Sequence, residues 1–425
     1  MTTALSRRQF AGLATATATG AALTTTGVTA SHAAIATGPN AEALKAALKG
    51  MINRPLVGAV CSVSGRYGRM DIAAGQFSLS RKEAARANAR ARVSSITKPM
   101  VAVAVFQQIE AGRWTLKTTI DDVLPGLWAG RGKVTVAQLM NHTSGMPDHV
   151  NDVLPYIPNF GIDVIEDFTN DQWSHAKIIR EAKKLPWKFA PGTGWSYSNT
   201  GYVVLSMMLE KATGQKIGTL LRNRVFSKMG MNQTRLYNSA KVERPELELE
   251  DVALDGRRKE RLENVNMSIF SGSGAAQATS ADITDFWAVL LRHQMISKRS
   301  VDQMITPVGA ARDTGDGGAY GYGVQVMDDV FTGSGGKLYG HSGGGFGSTA
   351  MSLSNRNGWR RMAYMMTGRP WYENGLVQLQ EGQFKVMDAC FAVSTNRSGR
   401  PAGYSRTAAR REAVPVLRES LLRVG

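Results

Sequence analysis

Apolar positions in the first quarter of the chain recur at helical spacing in two stretches, with strand-like runs between them. Leu44 and Leu48 lie four residues apart, as a single buried helix face requires, and a valine-rich run follows them. The pattern predicts a helix that begins after Asn40 and ends at Gly50, a strand over residues 56–64, a return strand over 70–74, and a helix over 100–110.

Strand signals return near the other end of the chain, after a helix start at Thr279 to Asp282. The predicted elements are strands over residues 322–326, 348–353 and 362–366, a hairpin turn at Asn357-Gly358, and a closing helix over 376–393. Strands at both ends and helices in the middle indicate an α/β (α+β) protein. We expect an α/β part over about residues 38–112 and 310–396, with an inserted, mainly helical part over about 113–309.

The composition excludes several classes of protein. Hydrophobic residues make up 43% of the chain and charged residues 20%, which is typical of a folded globular protein. Two cysteines, Cys61 and Cys390, are too few for a disulfide framework or a cysteine-based zinc cluster. They fit either one disulfide in an oxidising compartment or two buried thiols. Neither H-E-x-x-H nor G-x-x-x-x-G-K-[ST] occurs, so zincins and Walker-type nucleotide hydrolases are excluded.

The first residues have the pattern of an export signal. Ser6-Arg7-Arg8-Gln9-Phe10 matches a twin-arginine motif, and no charged residue follows until Glu42. The uncharged stretch is rich in Ala and Thr and poor in bulky aliphatic residues, which argues against a permanent membrane helix. We therefore predict a signal peptide over residues 1–33 and export by the twin-arginine route to the periplasm or the extracellular space.

The chain is strongly basic, with 51 Lys and Arg against 34 Asp and Glu and a net charge of +17. Such a charge favours anionic partners. Because export separates the protein from nucleic acid, we expect no nucleic-acid partner, and an anionic cell wall or membrane surface is the alternative. Two basic segments are predicted to be solvated: a loop over residues 81–92, which holds Arg90 and Arg92, and a flexible tail over 397–425. We expect a monomer.

The first candidate for chemistry is Ser95-Ile96-Thr97-Lys98. On a helix, residues three apart share a face, so Ser95 Oγ and the Lys98 amine can meet. Pro99 fixes the geometry, because proline is tolerated only in the first turn of a helix, where backbone N–H groups lack helical partners. The helix must therefore start close to Ser95. Alone the motif is weak, since Ser174-His175-Ala176-Lys177 and Ser334-Gly335-Gly336-Lys337 match it equally well.

Two further segments carry candidate groups. Tyr197-Ser198-Asn199 offers a phenol and an amide, although a helix N-cap would explain it equally. Gly340 to Gly345 offers bare backbone at a strand edge, with a simple glycine turn as the alternative. Ser342 in this segment also satisfies G-x-S-x-G. The nucleophile elbow needs a downstream histidine, and His341 is the last histidine of the chain, so that interpretation is excluded.

In this order, the segments of Ser95, Tyr197 and His341 resemble the serine β-lactamase and penicillin-binding protein family. The similarity is to the branch of class C β-lactamases, D-alanyl-D-alanine carboxypeptidases and β-lactamase-like esterases. It covers about residues 38–396 and includes Asn141-His142-Thr143-Ser144-Gly145-Met146-Pro147. The resemblance implies a β-lactamase/transpeptidase-like fold, in which an antiparallel sheet is flanked by helices and carries an inserted helical domain.

The same resemblance implies the roles of eight residues and requires no metal or cofactor. The implied catalytic residues are the nucleophile Ser95 and the proton-transfer pair Lys98 and Tyr197, with either member as the base. The implied substrate-binding residues are Asn199, which orients Lys98 and the substrate, and His341, Ser342, Gly343 and Gly344 on the edge strand. The backbone N–H groups of Ser95 and Gly344 would form the oxyanion hole.

Two departures from the family pattern bear on the substrate. His341 replaces the lysine of K-T-G, and the preceding strand over residues 322–327 carries no cation. A fixed cation about 4 Å from a substrate carboxylate is worth about 4 kcal/mol at moderate dielectric, and a mostly neutral histidine loses much of it. We predict an exported hydrolase that resembles a D-alanyl-D-alanine carboxypeptidase, acting on a cell-wall peptide. The alternatives are an esterase or amidase for small neutral substrates, a β-lactamase, and a non-catalytic sensor of cell-wall fragments.

Overall fold

The computed structural model describes residues 41–391 apart from ten short gaps. The gaps are residues 53–55, 66–67, 81, 154–164, 166–169, 240–247, 257–258, 263–264, 316 and 333. The predicted signal peptide, Asn40 and the predicted basic tail lie outside the described residues. Within the described part, no helix combines the length and the apolar character that crossing a bilayer requires.

Seven antiparallel strands form the main sheet, in the order β2-β1-β12-β11-β10-β9-β8. Their bounds are β1 Gly58–Gly65, β2 Gly68–Gly75, β8 Ala319–Tyr320, β9 Gln325–Asp328, β10 Lys337–Gly344, β11 Ser348–Asn355 and β12 Arg361–Thr367. Because β1 pairs directly with β12, the two ends of the chain build one sheet, as the strand pattern predicts.

Two three-stranded sheets accompany it. In one, β3 (Arg90–Arg92) and β4 (Arg235–Leu236) flank β7 (Ala276–Thr279). In the other, β13 (Arg369–Pro370) and β6 (Lys259–Arg261) flank β5 (Val252–Leu254). The first of these sheets is important for chemistry, because β3 leads directly into the segment of Ser95.

Helices cover both faces of the main sheet and fill the middle of the chain. In chain order they are α1 Ala41–Met51, α2 Thr97–Glu110, α3 Ile120–Val123, α4 Val136–Met140, α5 His175–Ala182, α6 Asn199–Thr213, α7 Ile217–Leu221, α8 Ser271–Gly274, α9 Ser280–Leu291, α10 Lys298–Ile305 and α11 Glu373–Phe391. Leu44 of α1 and Leu379 of α11 share one apolar core with β1 and β12. On α9, Ser280 Oγ lies 2.7 Å from Ser62 Oγ of β1.

Most predicted elements are present, and one strand starts later than predicted. Thr279 caps α9 by accepting a hydrogen bond from the backbone N–H of Asp282. The strand predicted over residues 322–326 begins only at Gln325. Gly323 has φ +81°, so the chain turns there before the strand starts.

The prediction of a solvated loop over residues 81–92 is wrong at its end. Arg90 and Arg92 are 4% and 8% exposed, and they lie on β3 rather than in solvent. Arg90 Nε lies 3.5 Å from Glu248 Oε1, and Arg92 Nε lies 3.1 Å from Asp251 Oδ2. Acids distant in sequence neutralise both charges, which is how a protein tolerates buried arginines.

Cys61 on β1 and Cys390 on α11 meet in the apolar core. Their Sγ atoms are 3.8 Å apart, and both are free thiols. The strand and the closing helix therefore pack together at this point, with the two thiols in contact. Burial raises the pKa of the Cys390 thiol well above its usual value, and the Cys61 thiol beside it acts in the same direction.

Candidate active site

Ser95 lies in a tight turn between β3 and α2. A 3₁₀ turn spans Ser94–Ile96, and α2 follows directly, with Pro99 in its first helical turn as predicted. Ser94 has φ +47°, a left-handed conformation of the kind that structures retain at functional sites. Thr97 holds the turn, since its Oγ1 donates to Ser94 O over 2.7 Å and accepts from the backbone N–H of Ala276 over 3.1 Å.

Lys98 is fully buried behind Ser95, and its amine faces three oxygen atoms. Nζ lies 2.8 Å from Ser95 Oγ, 2.7 Å from Asn199 Oδ1 and 2.8 Å from Ser273 O. Asn199 Oδ1 and Ser273 O can only accept, so they take two N–H groups. Ser95 Oγ can either accept or donate. The same geometry therefore suits an ammonium and a neutral amine whose lone pair faces the serine.

Tyr197 completes the cluster from the segment before α6. Its hydroxyl lies 2.5 Å from Ser95 Oγ, and Lys98 Nζ lies 4.6 Å from the centre of its ring. Ser198 caps α6 by accepting from the backbone N–H of Gly201. The segment Tyr197-Ser198-Asn199 is thus both a helix N-cap and a source of chemical groups. Ser198 caps the helix, and its two neighbours, Tyr197 and Asn199, reach the cluster.

Asp148, which the sequence analysis did not select, fixes the orientation of Asn199. The carboxylate is 1% exposed and accepts hydrogen bonds from the backbone N–H of Asn199 and from its Nδ2, both over 3.1 Å to Oδ2. A carboxylate only accepts, so the NH₂ side of the amide must face Asp148, and Oδ1 must face Lys98. The only sequence signal is that Asp148 directly follows the segment of residues 141–147.

Two histidines of this region are structural. His142 packs its ring against Tyr197, with 4.3 Å between ring centres, and its Nδ1 accepts from the backbone N–H of Ser198. His149 lies between Thr200 Oγ1 and Ile269 O. Burial lowers the pKa of His149 below 6.5; Asp148 partly opposes this, and Lys98 adds to it. His149 therefore adds no charge beside Lys98 at neutral pH.

The last four residues of β10, His341 to Gly344, lie alongside the turn of Ser95. A Cβ atom added to Gly343 would lie 2.2 Å from Val93 O, so only glycine fits there. The close neighbour of this glycine is thus the chain's own backbone. Ser342 N points away from β11, and backbone N–H groups of a strand alternate in direction, so Gly344 N points towards the same open edge.

His341 is fully buried, and both of its ring nitrogens face protein oxygens. Nδ1 lies 2.5 Å from Ser342 O, and Nε2 lies 2.6 Å from Tyr320 OH. A carbonyl oxygen only accepts, so Nδ1 carries a proton, and in the neutral ring Nε2 accepts from the tyrosine. Substrate binding by His341 stays a prediction, and Tyr320 is a partner that the sequence analysis missed.

Gln325 is a second missed residue at this edge. It ends the pairing of β9 with β10, opposite Gly340. Its Oε1 accepts from the backbone N–H of Ser342 over 2.8 Å, and its Nε2 donates to Ser342 Oγ over 3.1 Å. The side-chain amide of Gln325 thus adds two hydrogen bonds between β9 and β10 beyond their last backbone pair.

Arg369 and the serines of the two rival motifs have hydrogen-bond partners outside the cluster of Ser95, Lys98 and Tyr197. Arg369 is 2% exposed, and its Nη1 donates to Gly345 O over 2.7 Å, just beyond the end of β10. Burial lowers its pKa to about 10, which leaves it charged at neutral pH. Ser174 is the N-cap of α5, and Ser334 donates to Asp329. Neither serine has the lysine contact of Ser95 in these interactions.

In the described part of the chain, no three His, Cys, Asp or Glu side chains are grouped so that they could hold a metal ion. The structure brings Ser95, Lys98, Tyr197 and Asn199 into direct contact, with the edge of β10 beside them. A serine bonded to both an amine and a phenol can be deprotonated and can attack a carbonyl. This is the arrangement of a nucleophilic hydrolase.

Comparison with known sequences agrees with this chemistry. The profile of the Beta-lactamase family matches residues 42–414, nearly the whole described chain. The chain belongs to the Beta-lactamase family. It has the antiparallel sheet and flanking helices of the β-lactamase and penicillin-binding protein fold.

The relatives of this chain include a penicillin-binding protein and an esterase. Penicillin-binding protein 4* of Bacillus subtilis is 28% identical over 290 residues, which are 66% of this chain and 61% of that protein. Esterase EstB of Burkholderia gladioli is 32% identical over 206 residues, 45% of this chain and 50% of the esterase. The chain thus spans between half and two thirds of these relatives' length.

Among solved structures, a D-stereospecific amidohydrolase from Streptomyces superposes with a TM-score of 0.70 and 25% identity. The match covers 83% of this chain and 99% of the amidohydrolase. A penicillin-binding protein, an esterase and an amidohydrolase therefore all occur among the proteins similar to this one.

Proposed function

We propose that this protein hydrolyses acyl substrates through a covalent acyl-enzyme on Ser95. The observation that carries the proposal is the contact of Ser95 Oγ with both Lys98 Nζ, at 2.8 Å, and Tyr197 OH, at 2.5 Å. The proton of Ser95 passes to this pair as Oγ attacks the substrate carbonyl. The pair returns the proton to the leaving nitrogen or oxygen as the scissile bond breaks, and water then releases the acyl group.

The developing oxyanion is held in this proposal by the backbone N–H groups of Ser95 and Gly344. Ser95 lies in the 3₁₀ turn that packs against the end of β10, and Gly344 N points to the open edge of β10. Removal of one such donor costs about 10²–10³ in kcat in other enzymes. Asn199 orients Lys98 and borders the substrate.

Two substrate classes fit this mechanism. A D-alanyl peptide of the cell wall is supported by the basic charge of the chain, by the twin-arginine motif and by the similarity to penicillin-binding proteins. Small esters and amides are supported by the similarity to an esterase and an amidohydrolase, and by the uncharged contacts of Gln325. The twin-arginine motif also supports export to the periplasm or the extracellular space, where such a peptide would be met.

The experiment is a turnover measurement on purified protein with three acyl donors: a D-Ala-D-Ala peptide, a p-nitrophenyl ester and a fluorescent penicillin. We expect turnover of at least one donor, with a transient acyl adduct visible by intact-mass spectrometry. Ser95→Ala should remove both signals while leaving the circular dichroism spectrum unchanged. If wild-type protein binds these compounds without ever forming an adduct, the proposed hydrolase is rejected in favour of a sensor.

A further inference from the structure

Gln325 covers the part of the β10 edge that β9 is too short to reach. The last backbone pair between these strands joins Gly340 and Gln325. Beyond it, the Gln325 amide accepts from Ser342 N over 2.8 Å and donates to Ser342 Oγ over 3.1 Å. These two hydrogen bonds, which we call the Gln325 clamp, fix the position of the Gln325 side chain at the edge of β10.

The clamp determines which groups of Ser342 remain for a substrate. Its N–H is bound to Gln325 Oε1, and its hydroxyl oxygen accepts from Gln325 Nε2. The hydroxyl hydrogen is therefore directed to another acceptor. A substrate that lies along this edge meets one hydroxyl donor together with a carboxamide, whose oxygen repels a carboxylate and whose NH₂ suits a carbonyl.

The two neighbouring side chains that can carry a positive charge, His341 and Arg369, have hydrogen-bond partners other than the Ser342 side chain. His341 has Tyr320 OH and Ser342 O at its two ring nitrogens. Arg369 is buried beyond the end of β10, where its guanidinium donates to Gly345 O. The contacts at Ser342 N and at Ser342 Oγ therefore both come from the uncharged side-chain amide of Gln325.

We infer that Gln325 is a specificity-determining residue, which selects substrates whose group beside Ser342 is an uncharged amide or ester rather than a carboxylate. This inference rests on the proposed function, and it favours an amidase or esterase over a carboxypeptidase. It also accommodates a D-alanyl peptide, provided that the peptide continues beyond the scissile bond or ends in an amide.

The test uses one matched pair of substrates, an acylated D-Ala-D-Ala peptide and the same peptide with a C-terminal carboxamide. Wild-type protein should give a kcat/KM at least about tenfold higher for the amide. Gln325→Arg places a cation beside Ser342 and should shift the amide-to-acid ratio by at least about tenfold towards the acid. Gln325→Glu should shift the ratio in the opposite direction. An acid that wild-type protein cleaves as well as the amide would overturn the inference.

Gln294→Arg is the matched control, because it adds the same charge at an exposed position after α9. This variant should keep the wild-type ratio of amide to acid. If Gln294→Arg shifts the ratio as much as Gln325→Arg does, the effect comes from net charge and the inference is overturned.

An uncharged phosphonate ester labels Ser95 in each variant and reports the fraction of folded, competent protein. Absence of labelling in wild-type protein rejects the proposed function itself, whereas labelling with an unchanged ratio in both Gln325 variants rejects only the role of Gln325. If Gln325→Arg fails to fold, Gln325→Glu decides.

Discussion

Asp148 grips Asn199 at two points, through the backbone N–H and through the side-chain Nδ2. These hydrogen bonds determine which atom of the Asn199 amide faces Lys98, because the carboxylate accepts from the NH₂ group and leaves Oδ1 for the lysine amine. The side chain of Asp148 thus controls, through Asn199 at the start of α6, the hydrogen bonding of Lys98 on α2. The two elements are separated by about a hundred residues of sequence, as the pair Lys98 and Asn199 shows.

Asp148→Asn should lower kcat/KM by about 10- to 100-fold, since it replaces a charge-assisted hydrogen bond and permits the Asn199 amide to turn over. Loss of this negative charge should also change the pH–rate profile, because Asp148 is linked to Lys98 through Asn199. Asp152→Asn is the control, because Asp152 contacts Lys188 and the backbone of Asp148. Identical pH profiles for the two variants would reduce Asp148 to a structural residue.

Lys98 and Tyr197 should act as one unit. Lys98→Ala and Tyr197→Phe should each lower kcat/KM by about 10²–10⁴, and the double variant should be little worse than either single one. Steady-state kinetics on all three proteins measures the coupling. Tyr202→Phe is the matched control: burial raises the pKa of Tyr202 well above 10, and its hydroxyl donates to Met140 O. Fully additive losses, or near-normal turnover in Tyr197→Phe, would contradict the shared role.

The buried ion pair of Arg92 and Asp251 should stabilise the strand that leads to Ser95. Asp251→Ala leaves an uncompensated buried charge and should lower the free energy of unfolding by about 3–5 kcal/mol. Glu83→Ala removes the partner of Arg86 in a pair whose side chains are about half exposed, and should cost less than about 1 kcal/mol. Urea denaturation measures the free energy of unfolding of both variants. Equal losses would show that the buried pair of Arg92 and Asp251 stabilises the protein no more than the exposed pair does.

The sequence predicts the local parts of this site well. Ser95 and Lys98 meet because they are three residues apart on a helix that Pro99 obliges to start nearby, and both facts are visible in the sequence. Tyr197 joins them only through the fold, and it was the order of motifs in the family resemblance that paired the segments. The run of glycines predicts a strand edge at which bare backbone is open to a close neighbour. At Gly343 that close neighbour is the backbone oxygen of Val93.

The residues that the sequence analysis missed act through distant partners. Asp148, Tyr320 and Gln325 have no motif of their own, and their importance comes from which atom they face after folding. Arg90 and Arg92 were predicted to be solvated because local charge density cannot reveal that Glu248 and Asp251 approach them from about 160 positions away. Long-range pairing of this kind is set by tertiary structure rather than by local pattern.

Folding should become less favourable at mildly acid pH because of His149. The pKa of this buried ring is lowered from 6.5, first by burial, so below about pH 6.5 the unfolded chain binds a proton that the native protein does not. His149 alone should make the free energy of unfolding fall by up to about 1.4 kcal/mol for each pH unit below that value. Denaturation between pH 5 and 7.5 should show a shallower slope in His149→Gln. Since the pKa of His175 is also lowered, the difference from wild type is the quantity to compare, and equal slopes would contradict the prediction.

The acylation of Ser95 is the central claim, and mapping a covalent label tests it most directly. Wild-type protein and the variants Ser95→Ala and Ser174→Ala are incubated with an uncharged phosphonate ester and digested, and the modified peptide is identified by mass spectrometry. We predict stoichiometric label on Ser95 in wild type and in Ser174→Ala, and none in Ser95→Ala. Full labelling of Ser95→Ala, or a label on Ser174, Ser334 or Ser342 of the wild-type protein, would contradict the account.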